Sequence, residues 1–198
     1  MPPDDYAQSD IKVEKKKKKP SPFFLAAFWD LNVPMGSTTD FVKKVDPAGF
    51  GIEGRYHGLV KAGPGNLGVG ILVSWDWMAQ KSESSLVEGN VTLTGTQVRE
   101  LSVTPLMGKV IYTFDQHKRF HPYVGFGLGP ARVWRRLDIG IYRYLDESWH
   151  FAMAPELGLE IPLRNVVGLV AARVNYLVQT KDDPQQLYLN FSVGLGFH

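Results

Sequence analysis

The sequence predicts an all-β fold, an eight-stranded antiparallel transmembrane β-barrel in up-and-down meander order. Three observations predict it. The closing stretch, residues 187–198, alternates without an error: Leu187, Leu189, Phe191, Val193, Leu195 and Phe197 fall on one face, and Tyr188, Asn190, Ser192, Gly194, Gly196 and His198 on the other. Period two marks a strand with two different environments. About eight segments share that period. The links between them run long, short, long, short, long, short, medium, the asymmetry of barrels with short turns at one end and longer loops at the other.

The segments follow in order. The opening residues 1–22 are a polar, Lys-rich tail, with Pro2, Pro3, Pro20 and the run Lys15 to Lys19. Like charges repel there and little is available to bury, so disorder is expected. The first strand covers 23–33, with Ala27, Trp29, Leu31 and Val33 opposite Phe28, Asp30 and Asn32. A linker is expected at 34–48. The second strand covers 50–59, with Phe50, Ile52 and Tyr56 against Gly51, Glu53, Arg55 and His57. A tight turn at 61–66 leads to the third, 67–79, where Trp75 and Trp77 share the apolar face and Asp76 points the other way.

A polar linker is expected at 80–96. The fourth strand covers 98–114, and its phase slips near Pro105 and Gly108, which predicts a bulge. After a short turn comes the fifth, 122–134, with Val124, Phe126 and Leu128 against Tyr123, Gly125, Gly127 and Gly129. Residues 135–148 and on to His150 read as another long linker. The sixth strand, 151–161, sets Leu157 and Leu159 against Glu156, Gly158 and Glu160. A tight turn at 162–165 precedes the seventh, 166–178, where Val174 and Tyr176 oppose Arg173 and Asn175. A helical reading fails, because the period is two throughout and Gly recurs inside the segments.

Composition narrows the class. No run approaches the ~18 apolar residues of a membrane helix, although a barrel escapes that test. The chain has no Cys, hence no disulfide or thiolate metal site, and a net charge of +2 gives no case for nucleic acid. The opening Met1-Pro-Pro-Asp-Asp lacks the apolar stretch of a signal peptide, so an exported chain is expected here in mature form.

Two features place the apolar face outside. The opposite face is rich in Gly, as suits the crowded lumen of a narrow barrel, whereas solvent would favour Thr, Lys and Glu. Aromatics also gather at the strand ends of the apolar face: Trp75, Trp77, Trp134 and Tyr176 toward the long links, Tyr112 and Phe197 toward the short ones. Two aromatic girdles around an aliphatic band are what a bilayer selects. The lumen is then expected to hold a charge network of Glu53, Arg55, Asp76, Glu156, Glu160 and Arg173, joined by Lys109 if the bulge falls as expected. Charges in a narrow lumen must pair, since an isolated ion costs several kcal/mol.

The phrases Pro122-Tyr-Val-Gly-Phe-Gly-Leu-Gly129 and Pro155-Glu-Leu-Gly-Leu-Glu-Ile-Pro162, with the closing strand, resemble the small bacterial outer-membrane β-barrels of OmpA/OmpX type over residues 23–198. His198 after Phe197 departs from the family's aromatic ending. The resemblance implies an outer-membrane location, and the alternation of long and short links puts both termini on the short-turn, periplasmic side. The resemblance also implies a closing strand read by the insertion machinery, and no single function. The expected partners are outer-membrane lipids and lipopolysaccharide, the insertion machinery and another envelope protein, with no nucleic acid.

The expected role is non-enzymatic, as an anchor or scaffold or through external loops, without cofactor or metal. Residues 135–150 are the best candidate for contact, through Arg135, Arg136, Tyr142, Arg143, Tyr144 and Trp149, which are types enriched at interfaces. Two other readings stand beside it. One is a lipid A deacylase-like enzyme using His57, Ser74 and Glu53, although these fall on the lumen face. The other is a soluble lipocalin-like barrel. The histidines are scattered and suggest no metal site.

Overall fold

Alternating sequence makes strands, and eight of them close on themselves in this computed structural model, which describes residues 22–88, 91–114, 119–140, 142–163, 166–181 and 183–197. They are β1 (Phe23–Met35), β2 (Asp46–Ala62), β3 (Gly65–Glu88), β4 (Val91–Phe114), β5 (His121–Ile139), β6 (Tyr142–Pro162), β7 (Val167–Leu177) and β8 (Gln186–Phe197). One turn of helix, α1 (Thr38–Phe41), lies between β1 and β2. Each strand pairs antiparallel with its neighbours in sequence, and β1 pairs with β8 from Leu25↔Phe197 to Met35↔Leu187, which removes every edge at membrane depth. The expected tail, 1–22, lies almost wholly outside the described residues.

The apolar face looks outward. Leu25, Ile52, Ile71, Val110, Leu157, Val193 and Leu195 are all exposed, while Asp30, Glu53, Arg55, Asp76, Lys109, Glu156 and Arg173 are buried. A soluble barrel would reverse this. Aromatic rings flank the aliphatic belt. Phe50 and Trp75 stack at 6.2 Å on one side, and Phe23–Tyr56 and Tyr112–Phe114 meet edge to face at 5.1 and 4.8 Å on the other.

The structure departs from the sequence reading in three places. First, the expected linkers at 80–96 and 135–150 are mostly strand. β3 and β4 stay paired out to Glu88↔Val91, and β5 and β6 out to Ile139↔Tyr142. Once two strands are paired at the rim, the ladder continues wherever backbone groups still find partners, whatever the polarity of the side chains. Second, the link at 34–48 shrinks to a short segment around α1.

Third, β4 has no bulge near Pro105 and Gly108. Its register with β3 runs unbroken from Gly65↔Phe114 to Glu88↔Val91, and Leu101, Val103, Met107, Lys109 and Ile111 all face inward. The chemistry alternates badly there because the lumen accepts large apolar residues. The register shifts lie instead between Asp30 and Asn32 in the β1–β2 pair, and between Tyr56 and Val60 in the β2–β3 pair, where Gly58 takes φ +79°.

Inside, two apolar layers sandwich the polar middle. One gathers Phe24, Phe28, Leu72, Ile111, Tyr123 and Leu169 toward the short turns, and the other Met78, Leu101, Val103, Met107, Val133 and Leu177 toward the long hairpins. The lumen is thus packed with side chains.

Candidate functional site

The polar middle of the lumen is organised around Arg55. Its Nε and Nη2 donate to Glu53 at 2.7 and 2.9 Å, and its Nη1 to Glu160 at 2.7 Å. Nη2 also reaches Tyr123 Oη at 2.8 Å, and Tyr123 donates on to Glu156 at 2.6 Å. Lys109 bridges Glu53 and Glu156, 2.8 Å from each. Arg173 donates to Asp30 at 3.0 Å and stands 3.7 Å from Glu156. The mutual pairing offsets the desolvation of each ion.

Of the six expected lumen charges, Glu53, Arg55, Glu156, Glu160 and Arg173 come together. Asp76 stands apart, held by neutral donors: Ser74 at 3.2 Å, Tyr188 at 3.0 Å and Asn190 at 2.9 Å. Asp30 and Tyr123 belong to the charged cluster without having been singled out, and Asn32, Asn175, Asn190 and Ser192 extend the polar layer. Their alternation with the exposed Trp29 and Val124 was the signal available. Tyr123 was read on the inner face among the glycines, but nothing in the sequence showed that its phenol links Arg55 to Glu156.

The girdle residues sit at both rims of the outer face. Trp75 and Trp77 are half exposed, Tyr176 Oη donates to Gln185 at 3.1 Å, and Tyr112 Oη to the Ala62 carbonyl at 2.7 Å. Phe197 closes β8 opposite Leu25.

The three residues of the enzyme reading do not assemble. His57 lies 3.6 Å from Glu160, Ser74 bonds Asp76, and Glu53 is taken by Arg55 and Lys109. A different trio does meet at the rim. Ser148 Oγ donates to Asp183 at 2.5 Å and lies 3.0 Å from His150 Nε2, while His150 Nδ1 faces the Val178 carbonyl at 2.9 Å. Asp183 also contacts His150 Nε2, at 2.9 Å, so the acid and the hydroxyl crowd one ring nitrogen. A relay needs the acid on one nitrogen and the nucleophile on the other. This arrangement instead clasps the β7–β8 link to the barrel, with Arg135 pairing Asp183 from β5. Beside it, Arg99 and Arg135 each lie 5.8 Å from the Phe41 ring of α1, covering the mouth.

Above the rim the long strands form a four-stranded wall. β3 runs 11 residues past Trp77 to Glu88, roughly 35 Å of strand. β2 leaves β3 at Trp77, and β7 pairs with β6 only from Ala152 inward, so among the described residues 81–88 and 142–147 have no strand on their outer side. The six expected contact residues divide between the faces of this wall. Arg135, Tyr142 and Tyr144 follow the lumen face, and Arg136, Arg143 and Trp149 the outer one, by the alternation of β5 and β6. Tyr142, Tyr144 and Trp149 are each more than 60% exposed. Arg136 is held by Asp138 at 2.5 Å and Glu100 at 3.3 Å, and Arg143 reaches the same Asp138 at 3.0 Å. The Arg136 hydrogen bond, seconded by Arg143, keeps the Asp138 carboxyl below its ordinary range.

The fold is shared with barrels of bacterial outer membranes. The crystal structure of neisserial surface protein A superposes with a TM-score of 0.54 at 13% identity, covering 91% of this chain and 99% of that one. The N-terminal β-barrel domain of Pseudomonas aeruginosa OprF gives 0.46 at 13% identity, over 90% and 100% of the two chains. Ail of Yersinia pestis gives 0.43 at 13% identity, over 88% and 96%. No protein-family model and no curated protein matches the sequence. The fold is that of the small eight-stranded outer-membrane β-barrels.

Proposed function

We propose that the chain is an integral protein of a bacterial outer membrane, seated with both termini on the periplasmic side. It acts without catalysis, as an anchor that presents its projecting wall to a partner, another envelope protein or an external one. The observation that supports this most is the wall itself. A packed lumen offers no channel, whereas two unpaired strand edges and exposed Tyr142, Tyr144 and Trp149 offer backbone groups and aromatic area. Outer-membrane lipids and lipopolysaccharide surround the apolar belt in this reading, and the insertion machinery reads β8.

Orientation is tested with single cysteines at Tyr144 and Lys61 and a membrane-impermeant maleimide on intact cells. Labelling of Tyr144→Cys and protection of Lys61→Cys is the expected result; the reverse removes the orientation. A photo-reactive residue at position 144 should then crosslink a partner in whole cells. Absence of crosslinks there and at Lys81, on the other free edge, removes the scaffold role.

A further inference from the structure

The outer face of the barrel carries one notch of mixed chemistry at girdle level. Trp77, Ser102 and Trp134 are direct cross-strand partners on β3, β4 and β5, and Thr104 pairs with Arg132 one step nearer the membrane centre. Two short hydroxyl residues between indoles leave a hollow of about 410 Å³, walled by Trp75, Trp77 and Trp134 with Arg132 at its side. Neither Ser102 nor Thr104 has a side-chain partner among the described residues.

Arg132 is the unusual member. By the alternation of β5 it shares the lipid-facing side with Phe126, Leu128 and Trp134. A cation there is costly near the midplane and tolerable only near the interface. Its Nε and Nη2 grip Glu147 at 2.7 and 2.8 Å, a pair about half exposed on each side, and Nη1 keeps no partner among the described residues. Arg136, two periods of the alternation farther out, has all three nitrogens on carboxylates. Arg132 therefore retains a free donor edge, beside two free hydroxyls, in a hollow floored for a polar group and walled for an apolar one.

We propose that this notch docks one lipid headgroup of the external leaflet that carries an uncompensated anionic phosphate, as a phosphomonoester does and the zwitterionic phosphodiester of phosphatidylcholine does not. Arg132 Nη1, Ser102 and Thr104 face the phosphate and its polar carrier, and the indoles flank the start of the acyl chains. The proposal rests on the membrane orientation given above, and its chemistry follows from the notch: charge complementarity from Arg132 and a girdle-level position at the headgroups.

The test uses the full chain refolded into phosphatidylcholine nanodiscs doped with lipid A, then released gently and weighed by native mass spectrometry. The unsubstituted chain should retain one lipid A, favoured over phosphatidylcholine by about tenfold, the discrimination of one charge-assisted contact. Arg132→Gln and Ser102→Leu should lose that preference, and Glu147→Gln, which frees the rest of the guanidinium, should keep or raise it. Heat-modifiable gel migration checks that each variant has folded. Equal retention of the two lipids by the unsubstituted chain, or an unchanged preference in Arg132→Gln and Ser102→Leu, overturns the site. So does a Glu147→Gln variant that loses lipid A as Arg132→Gln does, because the effect would then belong to the ion pair. A chain that fails to enter nanodiscs sinks the membrane reading itself, whereas one that enters without preference sinks the headgroup site alone.

Discussion

Glycine on the lumen face makes room for rings. A Cβ on Gly158 would stand 2.3 Å from the Tyr123 ring, its direct partner across β5 and β6, and one on Gly51 would stand 2.4 Å from Phe28, its partner across β1 and β2. Neither position has slack, because the opposing aromatic is itself wedged in the packed lumen. Gly158→Ala should therefore cost about 1–3 kcal/mol through overpacking, read by urea unfolding in lipid vesicles, while Gly108→Ala, which faces outward with its nearest neighbour, the Leu128 carbonyl, 3.9 Å away, should cost less. Equal effects would mean that Tyr123 does not lie over the strand. The sequence shows these glycines on the inner face, and the residues opposite them were legible too. What it hid was their pairing, since Gly158 and Tyr123 are 35 positions apart and meet only once the register is known.

The elements divide between those whose sequence states their length and those whose length is set by pairing. β1, β7 and β8 end close to where their alternation ends, because both neighbours leave them there. β3 to β6 run on through polar stretches that read as linkers, since each finds a partner in the other arm of its hairpin. The absence of a bulge in β4 has the same origin. Alternation is a geometric fact, and most residues on the inner face of β4 are apolar, Lys109 apart, so hydrophobicity alone mistakes the phase. At the tip of the β5–β6 hairpin the fork of Arg136 and Arg143 on Asp138 adds a local tie. The Asp138 carboxyl is held below its ordinary value in the folded state. Its contribution is therefore present above the ordinary carboxylate range and is lost as pH falls through the folded value. Backbone amides near 137–143, corrected for intrinsic exchange, should lose protection in acid, and Asp138→Asn should be less protected at neutral pH and insensitive to acidification. An acid response that survives Asp138→Asn would assign it to other groups.

At the scale of the molecule, one inversion governs everything: charges inside, aliphatic residues outside. It follows from a bilayer as solvent, which leaves no water to receive an outward ion or an unpaired edge. Each lumen Arg meets carboxylates that β1, β2 and β6 bring to it. The most direct measurement compares adjacent residues of β7 that point opposite ways. Arg173 lies on Asp30 and faces Glu156, and Val174 is exposed on the belt. In urea unfolding from lipid vesicles, Arg173→Ala should cost about 3–5 kcal/mol by leaving buried carboxylates unpaired. Val174→Ala should cost about 1.5 kcal/mol, the transfer value of the two methyls removed. A Val174→Ala cost equal to or above that of Arg173→Ala would place the valine in the core and the arginine outside, and would contradict the barrel described here.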